Sequence, residues 1–189
     1  MFKKGLRIIG GKLKGRKLQS APGKLIRPTG NRQREAIFNI LADRVHGSNV
    51  LDLFAGTGAL GIEALSRGAT YCVFIDNHSN ALRILELNVQ SCMFKERSRI
   101  IRCDICTSLD PLNSIPCRFD LVFMDPPYQM NYVKPALDNL LRSRCLTAGA
   151  TVVVEHAPAE SISIDESAYL LSDKRRYGKT LVSFLRYVL

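Results

Sequence analysis

Apolar and polar positions change their period several times along this chain, and each change marks an element. Ala36, Ile37, Ile40 and Leu41 recur at helical spacing behind the stretch Thr29-Gly30-Asn31, which predicts a capped helix ending near His46 and Gly47. Strand-like runs follow at 50–54, 71–75, 99–103, 121–124 and 151–155, and the segments between them, roughly 58–67, 78–93 and 132–145, carry helical periodicity. Apolar strands alternating with helices imply a parallel sheet covered on both faces. After Pro158 come a short run at 169–171, a basic turn from Asp173 to Gly178 and an alternating run at 180–188, which read as a hairpin. The expected fold is therefore α/β, with a mostly parallel seven-stranded sheet closed by a C-terminal antiparallel hairpin.

Composition narrows the class. A chain of 189 residues with 46% hydrophobic content builds one sizeable core and is not fibrous, disordered or membrane-spanning. No apolar run approaches the ~18 residues of a spanning helix, and the opening MFKKGLRIIGGKLKGRKL has cations but no apolar block behind them, so a cytoplasmic location without membrane contact is expected. The six cysteines lack the dense spacing of a secreted scaffold and read as reduced thiols. Cys103 and Cys106 make a CxxC with no second pair, so no metal site is expected.

Charge changes the picture more. Residues 1–34 hold eleven Lys or Arg and no acid, whereas residues 35–189 hold sixteen basic and seventeen acidic residues. The net charge of +10 is thus made entirely at the N-terminus. Glycines and single aliphatic residues interleave with these cations, which suggests short strands and turns carrying Lys12, Lys14, Arg16 and Lys17 outward to a phosphate backbone. Residues 1–28 are read as a basic docking extension and 29–189 as the main domain.

The chemistry gathers at strand ends. Gly56, Gly58 and Gly61 follow the first strand at the spacing G-x-G-x-x-G with a helix behind them, a turn in which backbone can approach a nucleotide-like ligand and free N–H groups face it. Asp76 ends the second strand twenty residues after Gly56, where a carboxylate accepts ribose hydroxyls. To this point the residues fit NAD as well as S-adenosylmethionine. Asp52, four residues before Gly56, favours the latter, since it attracts a methionine ammonium and repels a pyrophosphate. Asp104 closes the third strand, either as an acceptor for an adenine amine or as an Asx cap of the following segment.

The fourth strand breaks off at Asp125-Pro126-Pro127-Tyr128. In open parallel sheets this end of every strand faces one crevice. Two prolines remove donors and stiffen the turn, leaving the Asp125 carboxylate and the Pro126 carbonyl as fixed acceptors beside the Tyr128 ring. These groups suit a planar base bearing an amine. An exocyclic amine is a poor nucleophile, and accepting from both its N–H groups turns its lone pair toward a methyl donor held at about 3–3.5 Å.

Together the stretches RIIGGKLKGRKL, RPTGNRQREAIFNIL, VLDLFAGTGALGIEALSRGA, FDLVFMDPPY and YGKTLVSF resemble the bacterial small-subunit ribosomal RNA guanine-N2 methyltransferases, which have the Rossmann-like class I fold. The resemblance implies S-adenosylmethionine as cofactor, bound by Asp52, Phe54, Gly56, Gly58, Asp76, Asn77, Asp104 and Ile105. It further implies catalysis by Asp125, Pro126, Pro127 and Tyr128, and RNA contact by the N-terminal segment together with Arg27, Arg32 and Arg34. The partner would be small-subunit RNA or the assembling small subunit, met by a monomer. Asn31 stands where the family more often has an acid. Three other readings compete. A DNA adenine-N6 methyltransferase shares DPPY but needs a target-recognition region that 189 residues do not supply. The others are a nicotinamide-dependent reductase and a basic assembly protein with a vestigial pocket.

Overall fold

The computed structural model describes residues 5–20, 30–128, 130–160 and 162–189. Helix α1 (Asn31–Leu41) and a 3-10 turn (Ala42–Val45) lead into strand β1 (Asn49–Leu53), helix α2 (Ala59–Ser66), strand β2 (Tyr71–Asp76) and helix α3 (Ser79–Ser91). Strand β3 (Ser98–Arg102), a 3-10 turn (Asp110–Ser114), strand β4 (Phe119–Met124), helix α4 (Val133–Ser143) and strands β5 (Leu146–His156), β6 (Tyr169–Tyr177) and β7 (Thr180–Tyr187) complete it. The seven strands lie in the order β3-β2-β1-β4-β5-β7-β6. The first five are parallel, and β7 is antiparallel to both β5 and β6. The strand order reverses between β1 and β4, whose carboxyl ends stand side by side with Leu53 opposite Met124. That switch point is where a parallel sheet offers a ligand crevice.

Alternating side chains put one apolar set on each face. Phe74, Leu121, Phe123, Val153, Val182 and Phe184 pack beneath α1, α2 and α3, with the Phe38 and Phe123 rings 5.5 Å apart. Leu51, Leu53, Val73, Val122 and Val152 face α4 and the 110–114 turn. Gly61 in α2 has a packing role, since a Cβ there would lie 2.3 Å from Phe74 Cε1 and 2.6 Å from Cys72 Sγ. The helix therefore lies directly on β2.

Two expectations need correcting. Helix α1 starts behind Gly30 with no side-chain cap, and Asn31 Oδ1 instead accepts from Arg34 Nη2 at 2.9 Å. Thr29, the other proposed cap, lies outside the described residues, as do Arg27 and the 28/29 boundary. The basic run at 173–178 is mostly strand: β6 continues to Tyr177 past an irregularity between Leu171 and Asp173, and the turn proper is Gly178-Lys179. Its alternation is hidden because an exposed edge strand selects polar residues on both faces.

Over its described part the N-terminal segment packs into the core of the domain. Leu6, Ile8 and Leu18 are buried in the same core as α1–α3, each apolar side chain stabilising by about 1.5–3 kcal/mol. Residues 5–20 form a loop whose limbs meet at the Arg7–Lys17 bridge. The Lys12 N–H donates to Ser66 O at 2.8 Å, and Leu13 N–H to Ser66 Oγ at 3.0 Å. Gly11 presses so closely on this helix end, at φ +73°, that a Cβ would meet Ser66 O at 1.9 Å. The Ile9 N–H donates to Glu63 Oε2 at 2.8 Å. No helix among the described residues is long and apolar enough to cross a membrane.

Candidate active site

The glycine loop is held from beneath by acids. Asp76, buried at the end of β2, accepts the Gly56 N–H on Oδ2 and the His78 N–H on Oδ1, both at 2.8 Å. Each carboxylate oxygen has two acceptor sites, so the backbone takes one of each and the others suit a diol. Gly58 sits at φ +80°, the left-handed region, and a Cβ there would lie 2.3 Å from Leu85 Cδ1. Asn88 steadies the loop from α3, donating to Thr57 O at 2.9 Å and to Gln19 O at 3.0 Å while its Oδ1 accepts the Gln19 N–H at 2.7 Å.

Asp52 lies inside β1, 2% exposed, and its Oδ2 accepts the Gly61 N–H at 2.9 Å. Burial pushes its carboxyl well above the usual carboxylate range; the Gly61 bond opposes the shift, and the negative fields of Asp125 and Asp76 add to it. The three acids therefore surround one site. Such a donor set fits a cationic ligand, which restores the ionised carboxylate, and it disfavours a pyrophosphate.

Phe54 follows β1 at φ +58°, unusual for a non-glycine residue, and its ring stacks on Tyr132 at 6.1 Å and 7°. Asn77 is exposed just beyond β2. Asp104 makes the cap weighed for it, its Oδ1 accepting the Cys106 N–H at 3.0 Å and its backbone carbonyl the N–H groups of Thr107 and Ser108. Ile105 turns its side chain into the α4-side core, and its carbonyl is taken by Asn139 Nδ2 at 2.9 Å. The Cys106 thiol is pushed up to about 11 by burial, with Asp104 adding to the shift.

At the neighbouring strand end Asp125 is half-buried, Pro126 buried, and Pro127 and Tyr128 are exposed. The Tyr128 hydroxyl and Thr180 Oγ1 are hydrogen-bonded at 2.8 Å, fastening the turn at 125–128 to the start of β7. Glu155, buried on β5, accepts from Gln33 Nε2 at 2.8 Å and so brings the first turn of α1 to the same crevice end. Neither Thr180 nor the Gln33–Glu155 pair was anticipated. No local motif announces a contact between residues 52 and 122 positions apart.

The proposed RNA contacts are scattered. Arg32 is exposed on the first turn of α1, at the crevice end. Arg34 is fully buried, donating to Arg7 O at 2.5 Å, and it faces Glu63 of α2. Burial lowers its pKa, Glu63 opposing and Arg67 adding. It is an internal cation and does not face RNA. Glu63, the one acid in ALGIEALS, also holds Arg67 Nε at 2.8 Å. An acid in so apolar a helix was the readable sign of a buried ionic centre. Lys12, Lys14, Arg16 and Lys17 are exposed, but the loop bearing them covers the C-terminal ends of α2 and α3, where Arg16 donates to Ser91 O. The tip, with Lys12 and Lys14, thus points away from the crevice, whereas the base of the loop reaches toward it: Lys17 bridges Arg7, whose carbonyl takes Arg34 of the first turn of α1, and Gln19 binds Asn88, which holds Thr57 O of the glycine turn.

The comparisons agree with this geometry. The profile of the family described as "Conserved hypothetical protein 95" matches residues 6–186. The chain is 35% identical over 170 residues to "Ribosomal RNA small subunit methyltransferase D" of Haemophilus influenzae, covering 89% of this chain and 88% of that protein. It is 33% identical over 150 residues to the protein of that name from Escherichia coli K12, covering 79% and 74%. The solved structure of Escherichia coli yhhF superposes with a TM-score of 0.84 at 28% identity, covering 96% of this chain and 97% of that one. The match runs through the N-terminal loop, the glycine turn and the DPPY turn alike, and the chain belongs to the Conserved hypothetical protein 95 family.

Proposed function

We infer that the protein transfers a methyl group from S-adenosylmethionine to the N2 amine of a guanine in small-subunit ribosomal RNA. The observation that carries this reading is the convergence of Asp52, Asp76 and Asp125 on the glycine turn at the β1/β4 switch point. Three acids around one crevice suit a cationic donor on one side and an amine on the other. The names borne by the curated relatives support RNA of the small subunit as the substrate.

Asp76 and the turn at Gly56 would hold the ribose, Asp52 the ammonium group, and Ile105 N–H with Asp104 the adenine. When bound, the cofactor supplies an activated sulfonium methyl. The chain's own part is alignment and proton management. Asp125 and the Pro126 carbonyl accept hydrogen bonds from the amine, orient its lone pair, and Asp125 receives the proton that N2 sheds as the N–C bond forms. Guanine suits an ionised carboxylate because N1–H and N2–H are adjacent donors. The base must leave its helix to present that edge, and Tyr128 then provides a face to stack on.

The test is transfer of labelled methyl to small-subunit RNA, to the assembling particle and to duplex DNA, followed by mapping of the modified nucleotide. Label at guanine N2 of the RNA is expected. Label on adenine of the DNA would overturn the reading.

A further inference from the structure

The cations that count for docking should lie beside the base receptor, and topology decides which do. Strand β7 runs antiparallel to β5 with Leu181 opposite His156, so Thr180 stands just past the C-terminal end of β5. The Gly178-Lys179 turn therefore projects at the crevice end, roughly 10–15 Å from Asp125 across two to three strand spacings. Here Lys174, Arg175, Arg176 and Lys179 are all exposed. The single acid among them, Asp173, pairs with Arg175 at 3.0 Å. Gly178 takes φ +61° to make the turn, and Arg176 Nε donates to Gly178 O at 3.2 Å, folding that side chain back over the tip. The Tyr128–Thr180 hydrogen bond joins this tip to the base receptor.

We propose that the β6–β7 tip, with Arg176 and Lys179 foremost and Lys174 and Arg175 behind them, grips the phosphates on either side of the target nucleotide. The assignment rests on the RNA reading above. An edge strand carries lysines and arginines to prevent edge-to-edge pairing, which accounts for Lys174 and Arg175 in mid-strand. It gives no reason for Lys179 in the turn itself, nor for Arg176 folding its side chain back over that turn. The opening loop, although richer in charge, carries Lys12 and Lys14 at its tip, against the C-terminal end of α2 and away from the crevice. A phosphate gripped there cannot be adjacent to a base seated at Tyr128.

The experiment compares the full-length protein with two variants of it, Arg176→Gln/Lys179→Gln and Lys12→Gln/Lys14→Gln/Lys17→Gln. Affinity for a small-subunit RNA fragment is measured against salt concentration, alongside binding of S-adenosylhomocysteine. Each lost phosphate contact should make the slope of log affinity against log salt shallower by about 0.7–0.9. The hairpin variant should lose about 1.4–1.8 of slope and bind RNA at least 10-fold more weakly at moderate salt, with S-adenosylhomocysteine binding unchanged. The loop variant should lose less. An RNA affinity and slope unchanged in the hairpin variant while wild type methylates the RNA would overturn the docking assignment alone. A wild-type protein that methylates no RNA would overturn the substrate reading and the proposal with it.

Discussion

Asp52→Asn separates what the crevice does for the fold from what it does for a ligand. The carboxyl is 2% exposed, receives one backbone N–H, and lies in the field of two other acids. Asparagine keeps an acceptor for Gly61 N–H and removes the charge that burial opposes. The variant should gain on the order of 1–3 kcal/mol, the usual cost of a buried group short of polar partners. In a domain of this size that raises Tm by about 2–4 °C per kcal/mol. The same change should weaken S-adenosylmethionine by about 1.5–3 kcal/mol, the worth of a hydrogen bond to a charged group, or roughly 10- to 150-fold in Kd. A pH dependence follows from the raised folded-state pKa. The ligand-free fold holds Asp52's stabilising contribution below the ordinary carboxylate pKa of about 3.9 and loses it as pH climbs through the raised value. A bound cation favours the ionised form, so binding releases a proton and cofactor affinity rises with pH across that window. Scanning calorimetry, with titration calorimetry in two buffers of different ionisation enthalpy, reads all three effects. A variant with lower Tm and unchanged cofactor affinity, or a wild type that binds the cofactor without releasing protons, would refute the reasoning.

Three further outcomes are expected. Gly58→Ala forces a Cβ to within 2.3 Å of Leu85 at φ +80°, and should cost about 1–3 kcal/mol of stability along with cofactor binding; a neutral thermal scan would show that the turn relaxes freely. Tyr128→Phe keeps the stacking face but severs the tie to Thr180, so methyl transfer should fall several-fold with cofactor affinity intact. Thr180→Val should match it, and the double variant should be no worse than either, because both delete one interaction; additive losses would show two separate roles. Arg34→Met should lower stability by about 1–3 kcal/mol by leaving Arg7 O and Asn31 Oδ1 short of a partner. RNA affinity of the folded fraction should not change, and its selective loss at unchanged Tm would restore Arg34 to the docking surface.

The sequence by itself determined the layered fold and the location of the chemistry. Doubly buried strands must be apolar runs, so β1, β2 and β4 were legible as such, and the carboxyl ends of parallel strands share one edge. Gly56, Asp76 and Asp125 could therefore be placed together without coordinates. Tertiary structure decided the rest, because it depends on which sides of the elements meet. Charge counts said that the N-terminal cations were many but not that Arg34 turns inward against Glu63. Nor did they show that Leu6, Ile8 and Leu18 bind residues 5–20 into the core with the loop tip at the far end. Composition made Asp173–Gly178 a turn, whereas pairing with β7 makes most of it a strand and puts only its tip beside Tyr128. Local periodicity reports burial along one element, while the distance from a cation to the crevice is set by strand order and packing between elements far apart in the chain.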